Sequence, residues 1–204
     1  PDNLGDLDAD LSHVCEKSRF LEILHDFMVF DNGAKKTCRP NQYFGIKAAQ
    51  ARLKQRQGGI IWHTQGSGKS LTMVWLAQWI LEQGDNHRVL IITDRTELDE
   101  QIKKVFDHTQ NEIYRTKSSK DLLNVLNENE HSLICSLVHK FGSCEETEVE
   151  NDAELNDFLN NIRTAKGGFS PKGKIVVFVD ECHRTQSGKL HEAMKSLLPD
   201  AIFV

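Results

Sequence analysis

Apolar positions along this chain repeat with two periods, and the alternation between them sets out the expected elements. Between residues 17 and 30, Phe20, Ile23, Leu24, Phe27 and Met28 fall at helical spacing, so an amphipathic helix is expected there. Further helices are expected over 43–56, 68–82, from Thr96 to about Phe106, and over 118–129, 154–162 and 189–198, the last stopped by Pro199. Short, continuous apolar runs predict buried strands at 59–63, 88–93, 131–138 and 175–179, with a short strand at 112–116 and another starting at 201–204. Gly84-Asp85-Asn86 and the Gly- and Pro-containing stretch 166–174 read as turns. The helix over 68–82 is apolar on nearly every side, which predicts burial between a sheet and a second layer. Strands alternating with helices imply an α/β fold with a doubly wound, mostly parallel sheet and flanking helices. No internal repeat is visible.

Composition narrows this picture. The chain has 204 residues, 39% hydrophobic and 27% charged, enough for one α/β domain with its own core plus extensions. No apolar run approaches the roughly 20 residues of a membrane helix, and the acidic opening PDNLGDLDAD is unlike a leader, so a cytoplasmic protein with no membrane partner is expected. The first residue is not Met, and the chain is read as a fragment. Cys15, Cys38, Cys135, Cys144 and Cys182 are scattered without a Cys-x-x-Cys, which favours reduced thiols over disulfides or zinc. The net charge of −5 carries no global signal for nucleic acid. Seven acidic and no basic residues lie between Glu145 and Asp157, which reads as a solvated insertion, whereas Lys47, Arg52, Lys54 and Arg56 gather on what reads as a solvated helix face.

Candidate chemistry sits at two strand ends. Residues 63–70 read HTQGSGKS between the apolar run Ile60-Ile61-Trp62 and a helix, the form of a phosphate-binding loop. Glycines there let backbone N–H groups turn around phosphate oxygens, so Thr64, Gln65, Gly66, Ser67, Gly68, Lys69 and Ser70 form the candidate cradle. Lys69 would reach the β and γ phosphates and Ser70 would ligate Mg²⁺; the usual first glycine of the pattern is replaced by His63. The second end is IVVFV followed by Asp180-Glu181-Cys182-His183. Carboxylates after a buried parallel strand face the crevice where such sheets bind ligands. Asp180 would hold the Mg²⁺ and Glu181 would orient or deprotonate water, so Lys69, Asp180 and Glu181 are the expected catalytic set with ATP and Mg²⁺ as cofactors. An isolated Asp-Glu at this place would equally serve as a helix N-cap.

RPNQYFGIKAAQ (39–50), HTQGSGKS, VLIITDRTELDEQ (89–101), ICSLVHKF (134–141) and VFVDECHRTQSGKLHEAM (177–194) together resemble, in order, the motor part of the restriction (R) subunit of type I restriction enzymes, a superfamily 2 helicase-like translocase. The resemblance spans 17–204. It implies a RecA-like P-loop NTPase lobe over 39–204, cut before its last motif, with 1–38 as an N-terminal extension or linker helix region. It also implies a nuclease domain and a second motor lobe outside this chain, double-stranded DNA as partner, and methyltransferase and specificity subunits in the full complex. By position, Gln42, with Arg39, would read adenine; from spacing alone a surface helix glutamine is the better reading of Gln42. Arg95, Gln101 and Ser136 would contact DNA, although Arg95 could instead pair within its own helix. His183 and Arg184 would couple nucleotide state to DNA grip, or His183 would make a core hydrogen bond. The activity implied is ATP-driven movement along duplex DNA leading to cleavage in the full complex. A switch module that binds nucleotide without turnover is the alternative, while a P-loop kinase fits Glu181 poorly.

Overall fold

Residues 11–31, 33–64, 66–93, 112–137, 169–180 and 194–204 are described by a computed structural model. Helix α1 (Lys17–Asp26) starts at Glu16, whose carboxylate accepts from the Ser18 and Arg19 amides. An antiparallel hairpin follows, β1 (Met28–Asp31) and β2 (Ala34–Thr37), then α2 (Pro40–Lys54) and α3 (Lys69–Glu82). The remaining elements are β3 (His87–Thr93), β4 (Ile113–Arg115), α4 (Ser119–Asn127), β5 (Leu133–Leu137), β6 (Lys174–Val179) and β7 (Ile202–Phe203). A single helical turn covers 194–197 just before Pro199.

The five later strands form one sheet in the order β4-β5-β3-β6-β7, parallel at every pairing. Parallel strands need crossovers, and these cover both faces. The alternation along β3 shows how: Val89 and Ile91 join a core with α2 and α3, while Leu90 and Ile92 join another with α4 and the 194–198 turn. As its all-round apolar pattern predicts, α3 is buried on several sides, with Val74, Trp75, Leu76 and Ala77 at most 1% exposed. The fold is RecA-like, as its motifs implied.

Two expectations are corrected. The first helix ends at Asp26, not at residue 30. Phe27 leaves the helical path to pack its ring, tilted, against those of Tyr43 and Trp75, at centroid distances of 5.0 and 6.3 Å, and Met28 opens β1. Burying Phe27 together with Val29 requires the two-residue period of a strand; Phe20 and Leu24, expected on the inner face, stay exposed. Phe27 and Val29 belong to the same core as α2 and α3, so the hairpin packs against the helices that follow it. Finally, 59–63 does not pair as a strand. It lies beside β7 through one bond, Gly59 N–H to the Phe203 carbonyl at 3.1 Å, because two-residue β7 offers little ladder to extend. Ile60 and Trp62 consequently remain 75% and 83% exposed. The expected helices near 96–106 and 154–162 lie outside the described residues.

Candidate nucleotide-binding site

The loop before α3 owes its shape to glycine. Gly66 and Gly68 hold φ of 76° and 86°, the left-handed region that side chains resist. Gly68 is the N-cap of α3, so Lys69 and Ser70 occupy the first helical turn, where amide N–H groups lack intrahelical partners and the helix dipole favours anions. Ser67 folds back, its amide and hydroxyl both donating to the Thr64 carbonyl. Such a cradle fits a phosphate chain.

One carbonyl organises the cradle. The Gly68 oxygen accepts from the Thr72 amide (3.1 Å), the Thr72 hydroxyl (3.2 Å) and Nε2 of Gln42 (2.9 Å). Gln42 is 2% exposed, and its Oε1 accepts from the Arg39 amide at 2.8 Å, which closes the first turn of α2 after Pro40. A Cβ added at Gly68 would lie 2.4 Å from Gln42 Nε2, so close approach and positive φ both demand glycine. Gln42 is therefore no surface glutamine. The sequence reading missed its tie to the loop, although Gln three residues after the Arg39 cap has capping-box spacing. His63, at the first motif position, has its Nδ1 buried without a hydrogen-bond partner, and its ring lies 3.3 Å from where a Gly45 side chain would begin.

Tyr43 and Lys47, also on α2, reach back to α1. The Tyr43 hydroxyl donates to Glu22 at 2.7 Å and Lys47 forms an ion pair with the same carboxylate. Burial pushes the Glu22 carboxyl up, but the bonds from Lys47 and Tyr43 outweigh it and hold the group below the ordinary glutamate range.

Asp180 sits at the end of β6, where its amide continues the ladder by donating to the Ile92 carbonyl at 3.0 Å. The carboxylate is half-buried at the same sheet edge as the ends of β3 and β5. The segment before the loop meets β7 at the Gly59–Phe203 bond, and β7 pairs with β6, the strand that Asp180 follows. A serine hydroxyl and a carboxylate are the hard oxygen donors that a Mg²⁺ would take at this edge.

Ser136 departs from its expected place. It is 1% exposed, with its hydroxyl 2.7 Å from that of Thr116, so in this arrangement its partner is a neighbouring hydroxyl. Gln65, Arg95, Gln101, Glu181, His183 and Arg184 lie outside the described residues. The same holds for Cys182, and no cluster of three or more metal-ligating side chains occurs among the described residues.

The SWI2/SNF2 ATPase family matches residues 41–204. A Methanocaldococcus jannaschii protein with the provisional name type I restriction enzyme MjaIXP endonuclease subunit is 30% identical over 210 residues, covering 97% of this chain and 18% of that protein. The HindI endonuclease subunit of a type I restriction enzyme from Haemophilus influenzae is 27% identical across 98% of this chain and 20% of its own length. The chain thus spans about a fifth of these relatives. In fold it is similar to a nuclease-deletion mutant of the type ISP restriction-modification enzyme LlaGI, solved with a DNA substrate mimic: TM-score 0.53, 13% identity, 82% of this chain and 17% of that one. With a phosphate cradle at the head of α3, Asp180 at the same sheet edge and a family match across most of its length, this chain belongs to the SWI2/SNF2 ATPases.

Proposed function

We propose that this chain is the ATP-binding first lobe of a motor that moves along double-stranded DNA as part of the R subunit of a type I restriction enzyme, with cleavage occurring in the full complex. The observation that carries this reading is the Gln42–Gly68 contact, which joins the nucleotide-reading turn of α2 to the phosphate loop of α3. ATP would lie with its phosphates over the α3 N-terminus. Lys69 neutralises the β and γ phosphates, and Ser70 and Asp180 would hold a Mg²⁺ that offsets phosphate charge. Glu181 orients and deprotonates the attacking water. Gln42 has one amide N–H and one lone pair still unassigned, a donor and an acceptor suited to N7 and N6 of adenine, with Arg39 beside it.

In this reading a second lobe that closes over the nucleotide and a nuclease domain belong to the same complete chain, and methyltransferase and specificity subunits are its partners in the complex. Arg95 and Gln101 track the DNA strand, and His183 and Arg184 link nucleotide state to that grip. No described helix is long and apolar enough to cross a membrane, and the reading places the protein in the cytoplasm. The test is ATP hydrolysis by the complete protein with long duplex DNA. Lys69→Ala should lower nucleotide affinity at least about tenfold, the loss of one charge-assisted phosphate contact. Glu181→Gln should keep Mg·ATP binding and stop turnover. Unchanged DNA-stimulated hydrolysis in the Lys69 variant would sink the reading.

A further inference from the structure

The sheet edge opposite the phosphate loop carries a second concavity. It has a volume of about 310 Å³ and lies between the C-terminal ends of α2 and α3 and the first residues of β3, β6 and β7. That volume falls at the lower end of ligand pockets. Lys54, Arg56 and Lys174 line it with His87, against a single carboxylate, Asp200; Trp79 and Ile80 supply an apolar wall. The Lys54 ammonium stands 5.7 Å from the centre of the Trp79 ring. Lys54 also complements the negative end of α2, a structural use that accounts for one cation of the three.

Arg56 has no such account. Its amide donates to the Leu53 carbonyl and that of Gln57 to the Arg52 carbonyl, the paired bonds of a helix ending in which the residue after the cap turns left-handed. Glycine is the residue favoured there, and Arg56 is the one non-glycine among the described residues at positive φ, 57°. At a place that favours glycine, the chain instead carries a long cationic side chain on the rim of the cavity. Cations interleaved with an indole are the chemistry that grips a nucleic-acid backbone, charge on the phosphates and ring against sugar or base.

We propose that this cavity is a second DNA contact, taking backbone phosphates on Lys54, Arg56 and Lys174 with the Trp79 ring beside them. The inference goes beyond the ATPase reading, since none of its residues belongs to the nucleotide site. The seven residues of β3 separate the two edges by roughly 20 Å, so nucleotide and DNA can occupy them together.

The test uses the complete protein and a fluorescein-labelled duplex titrated at several salt concentrations. Lys54→Glu, Arg56→Glu and Lys174→Glu combined should weaken binding at least about tenfold and reduce the slope of log affinity against log salt by about 2 to 3, near 0.9 per phosphate lost. ATP affinity without DNA should not change. Arg56→Gly alone, which suits the left-handed backbone and so preserves the fold, should lower the slope by about 0.9. An unchanged slope in these variants overturns the proposal. So does an equal loss when Lys17, Lys35 and Lys120, exposed lysines away from the cavity, are reversed instead. If the triple variant alters subunit assembly while the slope stays constant, the cavity receives an acidic protein segment and not DNA. A protein that hydrolyses no ATP yet shows the slope difference would end the motor reading and leave this site standing.

Discussion

Replacing Gln42 by alanine separates what its side chain does for the fold from what it does for nucleotide. Two hydrogen bonds vanish, one to the Gly68 carbonyl and one from the Arg39 amide, each worth about 1 kcal/mol net. Neither partner is stranded. The Gly68 oxygen keeps both donors of Thr72, and Arg39 is exposed at the helix start, where water can accept from its amide. The buried desolvation penalty is therefore not added, and the loss amounts to about 2 kcal/mol, a fall in Tm of roughly 4–8 °C for a domain of this size. Calorimetric melting measures that part. ATP affinity should drop as well, because the loop loses its tether to α2, and comparing ATP with GTP divides the effect. A loop tether alone weakens both nucleotides equally, whereas loss of adenine reading narrows the preference for ATP. If neither the melting temperature nor ATP affinity changed, the link between α2 and the loop would carry no weight and the reasoning would fail.

Arg88 is a cation buried to 1% exposure with its guanidinium donating to the carbonyls of Val125, Leu126, His131 and Lys172. Burial pushes its pKa down, yet arginine stays charged, so Arg88→Met strands four acceptors; it should cost roughly 3–5 kcal/mol in urea unfolding with little change in the ATP affinity of the folded protein. Glu22→Gln should flatten the acid limb of stability. The lowered carboxyl stabilises the fold fully above the unfolded value of about 4.3 and loses that contribution as pH falls through the folded value, so the variant and the parent should converge in acid. At neutral pH the difference should stay below about 1 kcal/mol, because Lys47 is 42% exposed and solvent screens the pair.

The central sheet was legible because its strands are buried on both faces and so read as unbroken apolar runs: RVLIIT and IVVFV appear as β3 and β6 within a residue of expectation. Glycines and Pro199 marked the ends for similar local reasons. What sequence could not show depends on partners distant along the chain. Ile60-Ile61-Trp62 has strand composition, but pairing needs a neighbour, and β7 supplies one acceptor. Phe27 continued a helical spacing by coincidence, and only its ring contacts with Tyr43 and Trp75 show why the helix stops before it. Ser136 lay in a matching motif, yet its burial follows from the Thr116 hydroxyl across the sheet. At the site, Gly66, Gly68, Lys69 and Ser70 were local and readable; the Gln42 bond spans 26 residues and was not.

Three donors on the Gly68 carbonyl have a kinetic consequence. They hold Gly68 in place at the head of α3 with no phosphate bound, so the conformational entropy of that residue is lost during folding and not at the moment of capture. Nucleotide then meets a helix head that is already formed. Association should proceed without a slow ordering step in this loop, and differences between nucleotides should appear in how quickly they leave.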